Sequence, residues 1–299
     1  MKSLLITGAT GFIGTQVVSG LLARGYEVHS LVCPPFAPEQ KNLIQHQMNL
    51  MDSAAVDAFL AANPFETLIH LAWYVGPKCQ TSDANIDWLE ASLHLIKSFH
   101  RNGGKTVLVT GSMSEYDFSY GWCRENETPL SSLSLYGQTK AALYETLNKV
   151  SSFTDLELKW ARLFNLYGPR EKPTRLMPSV INSMLKGEDV TVSPCTQTQN
   201  YLYVADAAEA IVAFLESDVT GAVNIVSDTA VRLRDVVEKI KELIGFRGNV
   251  LYGAIPAAFE QQFLSGDNTR LTKEIGWHQK TSLEDGLKKT IQWWKEQNV

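Results

Sequence analysis

No apolar run in this chain of 299 residues approaches the roughly 20 that a membrane-spanning helix needs. The apolar start of "MKSLLITGATGFIG" is too short for a secretory leader and turns at once into a glycine-rich loop. Cysteine is sparse. Cys33, Cys79, Cys123 and Cys195 stand far apart without metal-ligand spacing, so free thiols in a cytoplasmic protein are expected. Positive charge is in the minority, with 27 Lys and Arg against 32 Asp and Glu. The resulting net charge of -5 argues against a nucleic-acid surface, which carries a basic patch. It leaves room for an anionic small ligand held by local donors. Repeats and low-complexity tracts are also missing. What remains is 44% hydrophobic and 20% charged residues, an ordinary globular composition with enough chain for a large core.

The first half alternates short apolar strands with helical stretches. "SLLIT" (3–7), "EVHSLV" (27–32), "TLIHLAW" (67–73) and "KTVLVTGS" (105–112) read as strands. "NLMDSAAVDAFLAAN" reads as a strand end and then a helix capped at Asp52 or Ser53. "NIDWLEASLHLIKSFHRNGG" and Tyr136 to Ser151 read as helices, and "ELKWARLFNLYG" as a strand entering a turn. This rhythm predicts an α/β fold, a Rossmann-type doubly wound parallel sheet. After residue 167 the rhythm changes. We expect a dinucleotide-binding domain over 1–167 and a smaller substrate-binding lobe over 168–299, with elements near 200–226 returning to the first.

"TGATGFIG" places Gly8, Gly11 and Gly14 after a strand and at the opening of a helix. Gly8 suits a tight turn, Gly11 a close approach to a pyrophosphate, and Gly14 close helix packing. The helix N-terminus then offers N–H groups and a positive dipole end to the phosphates. The second strand ends at Val32 and Cys33, where an acidic residue often holds the adenosine ribose. Nothing there repels a 2′-phosphate, so NADP(H) is favoured over NAD(H). Asn49 stands where it can meet the adenine edge, or is simply a polar residue at a strand end.

"SLYGQTKAALYE" puts Tyr136 and Lys140 one turn apart on one helical face. An ammonium beside a phenol favours the phenolate, and lysine's three donors also suit ribose hydroxyls. Ser112 closes a strand in "VLVTGSMSEYD", at the carboxyl edge where ligands of parallel sheets sit.

Together, "TGATGFIG", "HLA" (70–72), Ser112 ahead of Tyr136-x-x-x-Lys140, "NLYGPR" (165–170), "YLYVADAAEAI" and "IGW…SLEDGL" resemble the extended short-chain dehydrogenase/reductases. The resemblance covers nearly the whole chain. It implies a nicotinamide cofactor in the first lobe and a nucleotide-sugar substrate between the lobes. Tyr136 matches the catalytic acid/base. Lys140 matches the residue that binds the nicotinamide ribose and lowers the tyrosine pKa. Ser112 matches the hydroxyl that polarises the sugar carbonyl, with Ser114 as the competing position. The implied cofactor contacts are Gly8, Thr10, Gly11, Phe12, Ile13, Gly14, Asn49, Leu50, Leu71, Ala72, Trp73 and Thr110, with Tyr136 and Lys140. The implied substrate contacts are Trp73, Ser112, Met113, Asn165 and Arg175. A homodimer through the helices near 88–102 and 136–151 is also implied, although their apolar stripes fit a core equally.

The chain departs from that pattern in places. The acidic pair that the family's dehydratases use to eliminate water is replaced by Met113 and Ser114, with Glu115 one position off. "TQNYLYV" holds Gln199 and Asn200 where an arginine often grips phosphate, which leaves Arg170, Arg175 or the helix start at 177 as substitutes. Trp73 and Tyr74 stand where small residues are usual; they form an aromatic wall for the sugar or pack between loops. His70 and His94 lack a carboxylate or cysteine at ligand spacing, so no metal is expected. The resemblance is strongest to nucleotide-sugar 4-ketoreductases, and reduction of a nucleotide-linked 4-keto-6-deoxyhexose is the leading expectation. A 4-epimerase with retained NAD, and a non-catalytic dinucleotide sensor, are the alternatives.

Overall fold

A computed structural model describes residues 2–34, 36–257 and 261–297. In chain order the elements are β1 (Ser3–Thr7), α1 (Gly14–Ala23), β2 (Glu27–Val32), β3 (Leu43–Gln47), α2 (Ser53–Ala62), β4 (Thr67–His70), α3 (Ala84–Arg101) and β5 (Thr106–Ser112). They continue with β6 (Trp122–Cys123), α4 (Leu135–Phe153), β7 (Glu157–Leu163), β8 (Asn165–Tyr167), α5 (Leu176–Leu185), β9 (Val190–Val192) and β10 (Thr198–Tyr203). The chain closes with α6 (Val204–Glu216), β11 (Gly221–Ile225), β12 (Ala230–Arg232), α7 (Leu233–Ile244), β13 (Val250–Tyr252), β14 (Phe263–Gly266) and α8 (Leu283–Gln297).

Seven strands form one parallel sheet in the order β11-β7-β5-β4-β1-β2-β3. The reversal between β1 and β4 makes the topological switch point at which such sheets bind ligands. Along β1 the side chains alternate. Leu4 and Ile6 pack with Val17, Val18 and Leu21 of α1 and with Ala207, Ile211 and Phe214 of α6. Leu5 faces the other way and joins Leu68, Val107, Leu95, Phe99, Leu143 and Leu147. Both faces are therefore covered, which is why these strands read as continuous apolar runs. Asp52 caps α2 by accepting from the Ala55 N–H at 3.0 Å, as its sequence position predicts.

A second sheet, β12-β10-β14-β6 with β8 on β10, lies beyond the first, beside a β13-β9 pair. A separate core of Met177, Val180, Ile181, Val236, Val237, Ile240, Leu287 and Ile291 joins α5, α7 and α8. The third strand of the main sheet lies at 43–47, earlier than the "NLMD" from which the sequence suggests a strand end. Its half-polar pattern, "LIQHQ", suits an edge strand with one open side.

A buried polar chain stitches the centre. The Ala72 N–H donates to Thr7 Oγ1 at 3.2 Å, and that hydroxyl lies 2.8 Å from His70 Nδ1. On its far side His70 Nε2 meets Ser92 Oγ at 2.9 Å, and Ser92 donates to the Trp88 carbonyl at 2.6 Å. Every donor finds an acceptor only if His70 is neutral with its proton on Nε2. Burial, aided by the Lys140 charge, holds His70 down to about 3. This is a core histidine. His94, on α3, instead pairs with Asp57 at 3.0 Å near the surface.

Candidate active site

The glycine loop follows β1, and its shape depends on missing side chains. Gly8 has φ +73°, and a Cβ there would stand 2.8 Å from the Ala72 nitrogen. A Cβ on Gly14 would fall 1.9 Å from the Gly8 carbonyl oxygen. The turn therefore closes only with glycine at both positions. No side chain caps the start of α1. An uncapped N-terminus behind a close-packed glycine turn fits the diphosphate of a dinucleotide. Leu71 and Ala72 border this loop across the switch point, the Leu71 N–H donating to the Thr7 carbonyl at 3.3 Å. Asn49 is exposed and its Oδ1 accepts from the Met51 N–H at 3.1 Å, while Leu50 is buried in the core.

Ser112 ends β5 and begins a short helical turn over Met113–Glu115. Its Oγ accepts from the Ser114 N–H at 3.1 Å, and its own N–H donates to Glu115 Oε1 at 2.7 Å. Ser134 caps α4 through the Gly137 N–H at 3.1 Å, which fixes Tyr136 in the first turn. There the Ser112 hydroxyl is near enough to pull the Tyr136 pKa down. Gly137 escapes sequence reading, yet a Cβ there would lie 2.1 Å from the Ser114 carbonyl and 2.0 Å from Ser132 Oγ. Its absence lets α4 ride directly on the serine turn.

Lys140 follows one turn later and is almost completely buried. Its Nζ donates to the Thr110 carbonyl at 2.9 Å and sits 3.8 Å from the centre of the Trp73 ring. Burial pulls Lys140 down to about 7, against the opposing pull of Glu115. Tyr136 moves the other way. Burial raises it to about 12, while Ser112 and Arg175 only partly offset that rise, and Glu115 and Cys79 add to it. Desolvation of the phenol, rather than Lys140, sets the direction of the tyrosine's shift. The ammonium is already engaged by a carbonyl and an indole face, and desolvation of the phenol dominates.

Beneath Ser112 lies a charged pair that the sequence did not advertise. The Glu115 carboxylate accepts from Arg162 Nε at 2.6 Å and from Trp160 Nε1 at 3.1 Å, with both charged residues fully buried. Burial would lower Arg162, but Glu115 and Tyr116 outweigh it and hold it above its ordinary value. Arg162 also reaches the Tyr116 hydroxyl at 3.0 Å, which donates to Asn224 Oδ1 at 2.8 Å. A charged residue in the middle of an apolar strand, as in "KWARL", is the signal that marks this partner.

The remaining expected contacts divide. Arg175, at the start of α5, acts electrostatically on Tyr136, and Met113 is half-buried beside Ser112. Asn165 points its Nδ2 at Gln199 Oε1 at 3.2 Å and the Asn200 carbonyl at 3.1 Å. Asn200 is internal: it ties Ser227 and Ser265 together and is sealed from ligand. Trp73 is buried too, its Nε1 donating to Asn85 Oδ1 at 2.9 Å. Of the two readings of Trp73, packing is what the structure shows. Among the described residues no group of His, Cys, Asp or Glu is placed to hold a metal ion, and no helix is long and apolar enough to cross a membrane.

The NAD dependent epimerase/dehydratase family model matches residues 4–226, which span the glycine loop, Ser112, Tyr136 and Lys140. The chain belongs to this family. It is 28% identical to the UDP-N-acetyl-alpha-D-glucosaminuronate decarboxylase of Bacillus cytotoxicus, over 99% of this chain and 98% of that one. It is 25% identical to the CDP-abequose synthase of Salmonella muenchen, over 97% of each. MoeE5, solved in complex with UDP-glucose and NAD, superposes with a TM-score of 0.85 at 26% identity, over 99% of this chain and 100% of that one. The first two are named for work on nucleotide sugars, and MoeE5 holds both a nucleotide sugar and NAD. The fold is thus that of a nicotinamide-dependent, nucleotide-sugar-modifying family.

Proposed function

We propose that the chain reduces the C4 keto group of a nucleotide-linked 4-keto-6-deoxyhexose, a dTDP- or CDP-sugar. The observation that carries this reading is the Ser112–Tyr136 pair with the Glu115 carboxylate withdrawn onto Arg162. A hydroxyl and a phenol suit carbonyl reduction, whereas eliminating water needs an acidic group free to act, and Glu115 is spent inside the fold. The cofactor, when bound, supplies the hydride. Ser112 donates a hydrogen bond to the C4 oxygen and polarises it. Tyr136, held protonated by burial, gives that oxygen its proton as the carbonyl is reduced. Lys140 positions the cofactor ribose, and Arg175 offers its charge to the substrate diphosphate. Asn165 can join it by rotating away from Gln199.

NADP(H) is the favoured carrier. β2 ends at Val32 and exposed Cys33, without a carboxylate to select the unphosphorylated ribose. We further propose a cytoplasmic homodimer through α3 and α4, which carry the exposed Ile86, Val150 and Phe153.

The test is to release and identify any bound nucleotide, then mix the protein with NADPH or NADH and a panel of CDP- and dTDP-4-keto-6-deoxyhexoses. Oxidation of reduced cofactor only with keto-sugar supports the reductase. Stoichiometric, tightly held NAD⁺ without net oxidation points to the 4-epimerase, the second reading. Tyr136→Phe separates both from a sensor. Turnover falls about 10²–10⁴-fold in an enzyme while cofactor binding persists. A sensor's response is unchanged.

A further inference from the structure

Trp73 is packed in the core, and its packing also brings its ring against a charged group. Its indole nitrogen is fixed by Asn85, which is fully buried and is itself clamped by the carbonyls of Cys79 and Ser82, both at 2.8 Å. That anchoring turns the indole face onto Lys140 Nζ at 3.8 Å. The ammonium thus spends one N–H on the Thr110 carbonyl and lays a second side against the ring. Lysine carries three donors, so one N–H is left for a ligand.

We propose that Trp73 is the positioning residue of Lys140, holding the ammonium charged and aimed so that its remaining N–H meets the dinucleotide ribose. The inference rests on the cofactor reading of this crevice. Charge is the reason an indole is useful here. Lys140 is buried and pulled towards the neutral amine, and a neutral amine is a poorer donor to hydroxyls. The ring's negative face favours the ammonium. The other groups around it are few. Glu115 favours the charge from the serine turn, His70 on β4 is neutral, and Tyr136 on α4 is protonated. Without the indole, only Glu115 and the Thr110 carbonyl would oppose the dry surroundings.

The experiment begins with the cofactor-free protein and follows indole emission against pH. An ammonium against the ring quenches it, so the wild type is expected to brighten as Lys140 loses its proton, at a pH well below lysine's ordinary 10.5. The step should vanish in both Lys140→Met and Trp73→Phe. NADP⁺ and NAD⁺ are then titrated calorimetrically. Trp73→Leu is expected to weaken the preferred dinucleotide about tenfold, with Trp73→Phe, which keeps a ring face, recovering most of the loss. A step that persists in Lys140→Met overturns the proposal, as does equal affinity of the folded Leu and Phe variants. Should Trp73→Leu fail to fold, Trp73→Met takes its place in the titration, and its affinity against that of Trp73→Phe decides. Failure of the wild type to bind either dinucleotide would instead refute the cofactor reading, while the emission step still reports the indole–ammonium contact.

Discussion

Acid should loosen this protein at one identifiable residue. His70 is sealed between Thr7 and Ser92, and its hydrogen bonds require the neutral ring. Its pKa is therefore depressed in the fold, to about 3, against 6.5 for a free histidine. The unfolded chain binds the proton first, so the stability that His70 contributes is complete above pH 6.5 and is lost as pH falls towards 3. Each pH unit below 6.5 costs about 1.4 kcal/mol, so lowering the pH from 7 to 5 removes about 2 kcal/mol. The value at pH 5 hardly depends on how far below 5 the folded pKa lies. The assay is urea unfolding of the wild type and of His70→Gln at pH 7, 6 and 5. The variant is less stable at pH 7 because a polar core contact is rebuilt. Its pH dependence should nevertheless be shallower than the wild type's by about 2 kcal/mol between pH 7 and 5, other titrating groups cancelling in the difference. Parallel curves would refute the reasoning, because they would mean that His70 takes up its proton within the fold.

Three further outcomes are expected. Gly14→Ala drives a Cβ into the Gly8 carbonyl, so dinucleotide affinity should fall by about 100-fold or more in calorimetry, with the far-UV spectrum retained. Glu115→Gln strands the Arg162 charge in the core and should cost about 3–5 kcal/mol in chemical denaturation. Cys33→Asp places a carboxylate at the end of β2, and should raise KM for NADPH about tenfold or more while leaving KM for NADH nearly unchanged.

How much of this was legible beforehand follows from where the signals are local. The glycine loop, the Tyr136/Lys140 spacing and the apolar strands of the main sheet depend on neighbours in sequence, and the structure places them in the doubly wound sheet they imply. The edge strand β3 and the short strands β6, β8, β12 and β13 are set by tertiary pairing and leave little periodic trace. At the site, Ser112 and Ser114 are two residues apart on one turn, so spacing alone does not choose between them. Trp73 read more readily as packing than as a wall for the sugar, and its contact with Lys140 stayed hidden because that residue is 67 positions away in a different element. The Glu115–Arg162 pair joins residues 47 apart, and only the oddity of a charge inside "KWARL" hints at it.

That pair also limits how the molecule can be recombined. Glu115 fastens the serine turn to Arg162 on β7, Arg162 holds the Tyr116 hydroxyl, and Tyr116 holds Asn224 on β11. Asn224 in turn fixes the carbonyls of Cys123 and Asp267, beside β14. The turn after β5, the strands β7 and β11 and the edge of the second sheet at β14 therefore share one set of bolts. A hybrid that joins the first 167 residues of this chain to the remainder of a relative would keep the Glu115–Arg162 pair and Tyr116 but lose Asn224. Such hybrids should fold only when the graft also brings a partner for Tyr116 at position 224.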